Sequence, residues 1–181
     1  MDDFVRRDMR LAGRVQRYHT WPHIKEQSVG EHSWQLLRIL MAVWPDVPDY
    51  VMKYVVLHDV GEHHVGDIPF PVKLDNPSLK DVMNKLESEA ASRMLVEWSM
   101  QPVHALQEAD ARVVKICELI EMAEWGAEEW LMGNKFAALV MGRCWDAANE
   151  MSKLTSPFIQ KRIDAYLEKR HELIHAAMRG E

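Results

Sequence analysis

Apolar residues recur at a spacing of three and four residues through almost the whole chain. An α-helix turns once in about 3.6 residues, so this spacing places apolar side chains on one face of each helix. Alternating patterns bounded by turn residues, which are typical of strands, are missing. The sequence therefore predicts an all-α fold, a compact helical bundle. One stretch with this spacing consists of Val29, Trp34, Leu36, Leu37, Leu40, Met41 and Trp44.

Several helix ends are marked by capping residues and prolines. Ser28 can cap a helix that has Glu31 in its first turn. Pro77 opens a second helix that we expect to run to about Trp98, and Pro157 opens the last helix. These signals mark the starts of three of the predicted helices.

Length and charge restrict the class of protein. The 181 residues, 48% of them hydrophobic, suffice for a buried core and predict one domain over residues 1–181. The net charge of -6 argues against binding to a nucleic-acid polymer, which requires a basic surface, but permits a free nucleotide. No apolar run approaches the roughly 18 residues of a membrane span, and the first ten residues lack a signal-peptide core. We expect a cytoplasmic protein with no membrane partner.

The segment from Gly61 to Asp75 departs from the helical pattern. Gly66, Pro69 and Pro71 exclude a continuous helix there. Loops that rigid helices hold in place commonly carry function. We therefore expect an ordered functional loop in this segment.

A candidate metal site precedes this loop. His32 falls in the first turn of its predicted helix, and His58 and Asp59 end another helix. Two imidazoles and a carboxylate form a mixed nitrogen and oxygen site suited to Mn, Co, Fe, Ni or Zn. Neighbouring helix residues diverge by about 100°, so His58 and Asp59 can bind one ion only near a helix end. Gly61 provides such an end.

The pattern of His32, the His58-Asp59 pair and a later acid resembles the HD-domain phosphohydrolases. The resemblance extends to the bacterial 5'-deoxynucleotidase branch and its phage relatives, the dATP triphosphohydrolases, and runs from about Arg17 to the helix at residues 113–122. It implies a helical bundle of the HD-domain type and an enzyme. The segments that carry it are residues 17–18, 28–33, 58–62, 66–69 and 71–73.

The same resemblance implies a fourth metal ligand. The family has an aspartate on a later helix in a Lys-x-x-Asp setting, and the matching stretch here begins at Lys115 and ends at Glu118. Glu118 is therefore the expected fourth ligand, and Asp110, two helical turns earlier, is the alternative. The implied cofactor is a divalent metal ion: Co, Mn, Zn or Mg.

Two acids take the catalytic roles that the resemblance implies. A metal ion can supply a nucleophile at neutral pH by lowering the pKa of a bound water from about 15.7 towards about 7. Glu62 and Asp67 flank the phosphorus, where they orient or deprotonate this water and protonate the leaving oxygen.

The resemblance also implies a set of substrate-binding residues. An arginine can pair with a phosphate through two parallel hydrogen bonds, and a lysine adds a point charge. Tyr18 is placed to pack on the sugar or the base. The implied substrate-binding residues are Arg17, Tyr18, Thr20 and Lys73.

The function implied by these residues is metal-dependent hydrolysis of the 5'-phosphate ester of a 2'-deoxynucleotide of the deoxyadenylate type. The substrate is either dATP, giving deoxyadenosine and triphosphate, or a deoxynucleoside monophosphate, giving phosphate. The alternatives are hydrolysis of another phosphate ester, such as a cyclic nucleotide or an alarmone, and a non-catalytic nucleotide-binding module. Tryptophan-rich helices and the oligomers of the resembling families imply a homo-oligomer, a dimer or larger, in a bacterium or a phage-infected host.

The remaining polar residues are expected to be solvated. Five histidines have no companion pattern and are interpreted as surface residues: His19, His23, His104, His171 and His175. Six glutamates are interpreted as solvated helix faces: Glu87, Glu89, Glu121, Glu124, Glu128 and Glu129. The alternative for Glu121, which lies one turn beyond Glu118, is to support the metal ligands.

Overall fold

The computed structural model describes residues 8–68, 72, 75–101 and 103–179. Apart from one short antiparallel pair of strands, the regular structure in these ranges is helical, and the predicted all-α class is confirmed. None of the helices in the described ranges has the length and apolar character needed to cross a membrane. The elements are α1 (Met9–Ala12), β1 (Gln16–Arg17), β2 (Gln27–Ser28), α2 (Val29–Val43), α3 (Asp49–Leu57), α4 (Glu62–Val65), α5 (Pro77–Glu97), α6 (Glu108–Leu131), α7 (Ala137–Ser152) and α8 (Pro157–Arg179).

The chain forms two compact units, each built from segments that alternate along the sequence. The first unit comprises residues 1–21, 26–34 and 52–105. The second unit comprises residues 22–25, 35–51 and 106–181. The assignment of one domain to residues 1–181 stays a prediction.

In the first unit, the predicted N-cap of α2 is present. Ser28 Oγ accepts a hydrogen bond from the Glu31 N–H at 3.2 Å. Val29 N–H donates to the Val15 carbonyl at 2.9 Å, which ties the start of α2 to the segment before β1. The first turn of α2 is therefore fixed at both its cap and its backbone.

Helix α4 packs against α5 at a glycine in the first unit. A Cβ atom placed on Gly61 would lie 2.1 Å from the Glu87 carbonyl oxygen, so only glycine permits this approach. The small apolar cluster beside it consists of Ala12, Val60 and Met94. The close packing holds the chain that follows His58 against a long helix.

The second unit is formed mainly by α6, α7 and α8, with α6 packing along α7 and α8 contacting both. Three acids of α6 are buried: Glu121 is 2% exposed, Glu124 is 6% exposed and Glu129 is 1% exposed. The interpretation of these three as solvated is therefore wrong. The apolar core of the second unit includes Leu36, Ile39, Leu40, Val43, Ile116, Ile120, Ala148 and Ile163.

Two of the predicted helix starts are confirmed, since α5 begins at Pro77 and α8 begins at Pro157. The segment after Gly61 forms no continuous helix, as expected, but it opens with the single turn α4. Gly66 ends this turn with a φ of 78°, a left-handed conformation that glycine adopts without strain. The prolines expected to exclude a helix, Pro69 and Pro71, lie outside the described residues.

Candidate metal centre and active site

His32 and His58 are both held in place by the helices that carry them. His32 lies in the first turn of α2 and is 2% exposed. His58 follows the last residue of α3 and its N–H still donates to the Tyr54 carbonyl, at 2.8 Å. The His58 ring stacks on the Tyr54 ring, with centroids 5.6 Å apart. The two imidazole centroids are 5.8 Å apart.

The hydrogen bond of His58 fixes its tautomer. Its Nδ1 lies 2.9 Å from the Val55 carbonyl oxygen. Because a carbonyl oxygen only accepts, Nδ1 carries the hydrogen, and Nε2 of the neutral ring keeps its lone pair. That Nε2 lies 3.2 Å from Asp59 Oδ1, and His32 Nε2 lies 3.9 Å from Asp59 Oδ2. The imidazole nitrogen of His58 and the Asp59 carboxylate oxygen are both metal ligands, and at 3.2 Å they are close enough to share one cation.

The three side chains converge closely enough to hold one metal ion. One ligand atom from each of His32, His58 and Asp59 lies within 4.8 Å of the others. Zinc binds such atoms at about 2.0 to 2.2 Å, and imidazole with carboxylate is a common donor set for divalent transition metals. The hydrogen bond from His58 Nδ1 to the Val55 carbonyl orients the ring, as such bonds commonly do for metal-binding imidazoles. The residues therefore fit a divalent ion.

A buried acid lies beside this cluster. Glu62 is 7% exposed, and its N–H donates to the Asp59 carbonyl at 3.0 Å. Its Oε2 is buried and has no hydrogen-bond partner among the described residues. Burial, and then the charges of Asp59 and Asp67, raises the pKa of Glu62 to about 9, while Arg17 opposes the shift. The charges of Asp67 and Arg17 therefore both act on the Glu62 carboxyl group.

Arg17 and Tyr18 lie together at the end of β1. Arg17 Nη1 donates to Gln27 Oε1 at 2.9 Å, and its guanidinium carbon lies 5.1 Å from the Tyr18 ring centroid. Tyr18 has a φ of 57°, an uncommon conformation for a bulky residue. The Trp21 N–H closes the turn by donating to the Tyr18 carbonyl at 2.9 Å, and Thr20 is exposed within it. Backbone strain of this kind is concentrated at functional sites.

The other predicted site residues are not part of the three-residue cluster. Lys73 lies outside the described residues. Glu118 and Asp110 belong to the second unit. There Lys115 Nζ lies 2.8 Å from Glu118 Oε2, and Asp110 accepts a hydrogen bond from the Tyr50 hydroxyl. The assignment of either acid as the fourth ligand stays a prediction.

Sequence reasoning missed the residues that support the site. Gln27 is 5% exposed and directs the Arg17 side chain, while the Val55 carbonyl fixes the His58 ring. The i to i−3 spacing of His58 and Val55 could have indicated the second contact. No local pattern indicates the contact between Arg17 and Gln27, because the two residues are brought together only by the pairing of β1 with β2.

An all-α fold that brings a histidine and a His-Asp pair into one cluster is characteristic of the HD-domain class. The family model described as 5'-deoxynucleotidase YfbR-like matches residues 7–124 of this sequence. The chain belongs to that family. The match contains every residue of the cluster as well as Arg17, Glu62 and Asp67.

Individual relatives are similar over much of their length. A 5'-deoxynucleotidase of Vibrio parahaemolyticus is 27% identical over 150 residues, 71% of this chain and 76% of that protein. A 5'-deoxynucleotidase of Pasteurella multocida is 24% identical over 122 residues, which cover 53% of this chain and 63% of that protein. A dATP triphosphohydrolase of Salmonella phage PMBT28 is 26% identical over 132 residues, 66% of this chain and 64% of that protein.

A solved structure shares the fold. The cyanophage S-2L HD phosphohydrolase DatZ, described as bound to dA and one catalytic Zn2+ ion, matches with a TM-score of 0.68 and 17% sequence identity. The match covers 94% of this chain and 96% of that chain. The likeness therefore extends beyond residue 124, where the family match ends.

Proposed function

We propose that this chain hydrolyses the 5'-phosphate ester of 2'-deoxynucleotides with the help of a divalent metal ion. The observation that carries the proposal is the convergence of His32, His58 and Asp59 ligand atoms within 4.8 Å, beside the buried Glu62. Membership of the 5'-deoxynucleotidase YfbR-like family supports the substrate class.

The proposed metal ligands are His32 Nε2, His58 Nε2 and the Asp59 carboxylate, with Glu118, or alternatively Asp110, as the predicted fourth. A divalent ion bound there supplies Lewis-acid polarisation of the phosphate and lowers the pKa of a water molecule. The zinc ion named for the cyanophage structure supports Zn as a candidate beside Co, Mn and Mg.

Arg17 is proposed to bind the phosphate group. The hydrogen bond from Arg17 Nη1 to Gln27 Oε1 at 2.9 Å positions a guanidinium group, which is suited to pairing with phosphate oxygens. Lys73 is proposed to contribute a second positive charge to phosphate binding. The Arg17 charge also acts on Glu62, which supports a phosphate site on the same side of the metal cluster as the proposed proton-transfer acid.

Glu62 and Asp67 are proposed as the proton-transfer groups. The buried Glu62 Oε2 has no partner among the residues described, so it can accept or donate a proton without breaking an existing hydrogen bond. Asp67 lies directly after the left-handed Gly66 and is half-buried. Tyr18 and Thr20 are proposed to contact the sugar or the base.

Two substrate forms remain within the proposal. The two bacterial relatives are 5'-deoxynucleotidases, which favours a deoxynucleoside monophosphate, while the phage relative is a dATP triphosphohydrolase. The dA bound in the cyanophage structure supports an adenine deoxynucleotide in either case. We also propose that the active form is a cytoplasmic homo-oligomer.

A substrate and metal screen tests the function. Chelator-treated protein is supplied with Mn, Co, Zn or Mg and assayed on dAMP, dATP, AMP and ATP, with free phosphate and triphosphate measured separately. We expect at least one metal to restore hydrolysis of a deoxynucleotide in preference to its ribonucleotide counterpart. Metal binding without hydrolysis of any of these nucleotides would contradict the proposal and indicate a binding module.

A further inference from the structure

His171 and His175 lie one turn apart on α8 and bring their imidazole rings together. Their Nε2 atoms are 2.9 Å apart, and their ring centroids are 4.1 Å apart with the planes inclined at 59°. Both side chains are exposed. The surface position is as expected, but the interpretation that neither histidine has a companion is wrong, because residues four apart on a helix share a face.

The ring arrangement favours a shared cation over a hydrogen bond between the two nitrogens. An in-line N–H···N bond of this length would hold the centroids about 5.3 Å apart, since each nitrogen lies about 1.2 Å from its ring centre. The observed 4.1 Å means that the rings lie side by side. Their Nε2 atoms, 2.9 Å apart, are closer to each other than the ring centroids are, so a single cation can contact both nitrogens.

The spacing of the nitrogens also indicates the class of ion. With metal–nitrogen bonds of about 2.05 Å, a separation of 2.9 Å gives an N–metal–N angle of about 90°. A tetrahedral ion would require a separation of about 3.3 Å at the same bond length. A right angle matches adjacent positions in the square-planar or octahedral geometries that Cu2+ and Ni2+ prefer.

We propose that His171 and His175 form a second, surface metal site that takes Cu2+ or Ni2+, with water completing the coordination. It shares no residue with the cluster of His32, His58 and Asp59. Because the two ligands lie on successive turns, the bound ion stabilises the C-terminal part of α8.

Trp145 of α7 provides a direct report on this site. Its ring centroid lies 6.0 Å from that of His171. A Cu2+ ion bound to His171 would therefore quench the fluorescence of this tryptophan strongly. Trp145→Phe removes the signal while leaving both ligands in place, which identifies the tryptophan responsible.

The test titrates Cu2+ into the full-length protein and, in parallel, into the double variant His171→Ala/His175→Ala, following tryptophan fluorescence and the nitrogen splittings in the Cu2+ electron paramagnetic resonance spectrum. The difference between the two titrations isolates the α8 pair, because Cu2+ also binds the cluster of His32, His58 and Asp59. We expect the difference to be one Cu2+ equivalent with two nitrogen ligands and a quench that Trp145→Phe abolishes. His171→Ala and His175→Ala should each weaken this site at least about tenfold, because each removes the chelate. His104→Ala, at an exposed histidine in another segment, should titrate like the original protein.

Two results would overturn the proposal. One is a Cu2+ titration in which His171→Ala and His175→Ala bind within twofold of the original protein. The other is the absence of any quench assigned to Trp145, which would leave a direct contact between the two imidazole rings as the explanation of the geometry.

Discussion

Glu62 of the first unit and Glu129 of the second are both almost fully buried, at 7% and 1% exposure, yet their surroundings differ completely. Glu129 Oε2 accepts hydrogen bonds from the Ile24 N–H and the Asn134 side chain, both at 2.8 Å. Its Oε1 accepts one from the Lys25 N–H, also at 2.8 Å. Glu62 Oε2 has no hydrogen-bond partner in the described part of the chain.

The pKa values of the two acids move in opposite directions as a result. Burial and the nearby Asp59 and Asp67 charges raise the pKa of Glu62 to about 9. Burial alone would also raise the pKa of Glu129, but donors from Asn134, Lys25 and Ile24 outweigh it and hold that pKa below its ordinary value.

The difference teaches that the donors around a buried carboxylate, rather than its burial, decide its role. Glu129 is a structural acid that fastens the segment before β2 to the end of α6. Glu62 is available for chemistry. Substitutions of Glu62 and of the neighbouring Asp59 should therefore reduce activity, and substitutions of Glu129 should reduce stability.

The largest effect is expected for Asp59→Ala. This substitution removes one of the three converging ligands and should abolish metal binding and activity together, with kcat/KM falling by at least about 1,000-fold. Metal content by mass spectrometry and deoxynucleotide hydrolysis are measured on the same sample. Asp49→Ala, at an exposed acid at the start of α3, is the control. If Asp59→Ala kept both metal and rate, the cluster would not be the metal centre.

Glu62→Gln should have the next largest effect, confined to the rate. The amide keeps the shape but cannot transfer a proton, so kcat should fall by about 100-fold to 10,000-fold while the metal is retained. The free energy of unfolding should not fall, because Glu62, whose pKa is raised to about 9, must take up a proton on folding at neutral pH and glutamine need not. An unchanged kcat would remove Glu62 from the chemistry. Glu89→Gln, exposed on α5, provides the comparison.

Glu129→Gln should lower the stability of the protein and leave its rate of hydrolysis unchanged. An amide presents only one accepting oxygen to three donors, so the free energy of unfolding should fall by about 1 to 3 kcal/mol. The kcat of the folded fraction should stay within twofold of the original. Urea unfolding of Glu129→Gln beside Glu128→Gln, its exposed neighbour, measures this. Equal stability of the two variants would show that the hydrogen bonds to the Glu129 carboxylate do not stabilise the fold.

The smallest expected effect is the pH dependence of that stability difference. The folded pKa of Glu129 is below its unfolded value of about 4.3, so its contribution is fully present above about pH 5. The contribution is lost as pH falls through the folded pKa. The gap between the original protein and Glu129→Gln should therefore shrink between pH 6 and pH 3.5 in urea unfolding. A gap that stayed constant over this range would contradict the assignment.

Much of the fold and the centre of the site could be predicted from local patterns. The spacing of apolar residues and the caps at Ser28, Pro77 and Pro157 depend on residues a few positions apart. The His58-Asp59 pair is likewise local, and the resemblance connected it to His32.

The roles of the buried glutamates could not be predicted in this way, because their partners are distant in sequence. Glu129 and Ile24 are 105 residues apart. Glu124 accepts from Arg38 Nη2 at 2.6 Å across 86 residues, and from the Tyr166 hydroxyl at 2.8 Å across 42. A helical glutamate has the same local pattern whether its partner is water or a distant arginine. Only the tertiary structure separates the two cases.

The central claim, that His32, His58 and Asp59 hold the metal ion used in deoxynucleotide hydrolysis, is tested most directly by anomalous X-ray diffraction. Crystals grown with the metal that best restores activity are measured on both sides of its absorption edge. The account predicts a strong anomalous peak bonded to both Nε2 atoms and the Asp59 carboxylate, and the same map identifies any fourth protein ligand. A fully active, metal-loaded crystal with no peak at these three side chains would contradict it.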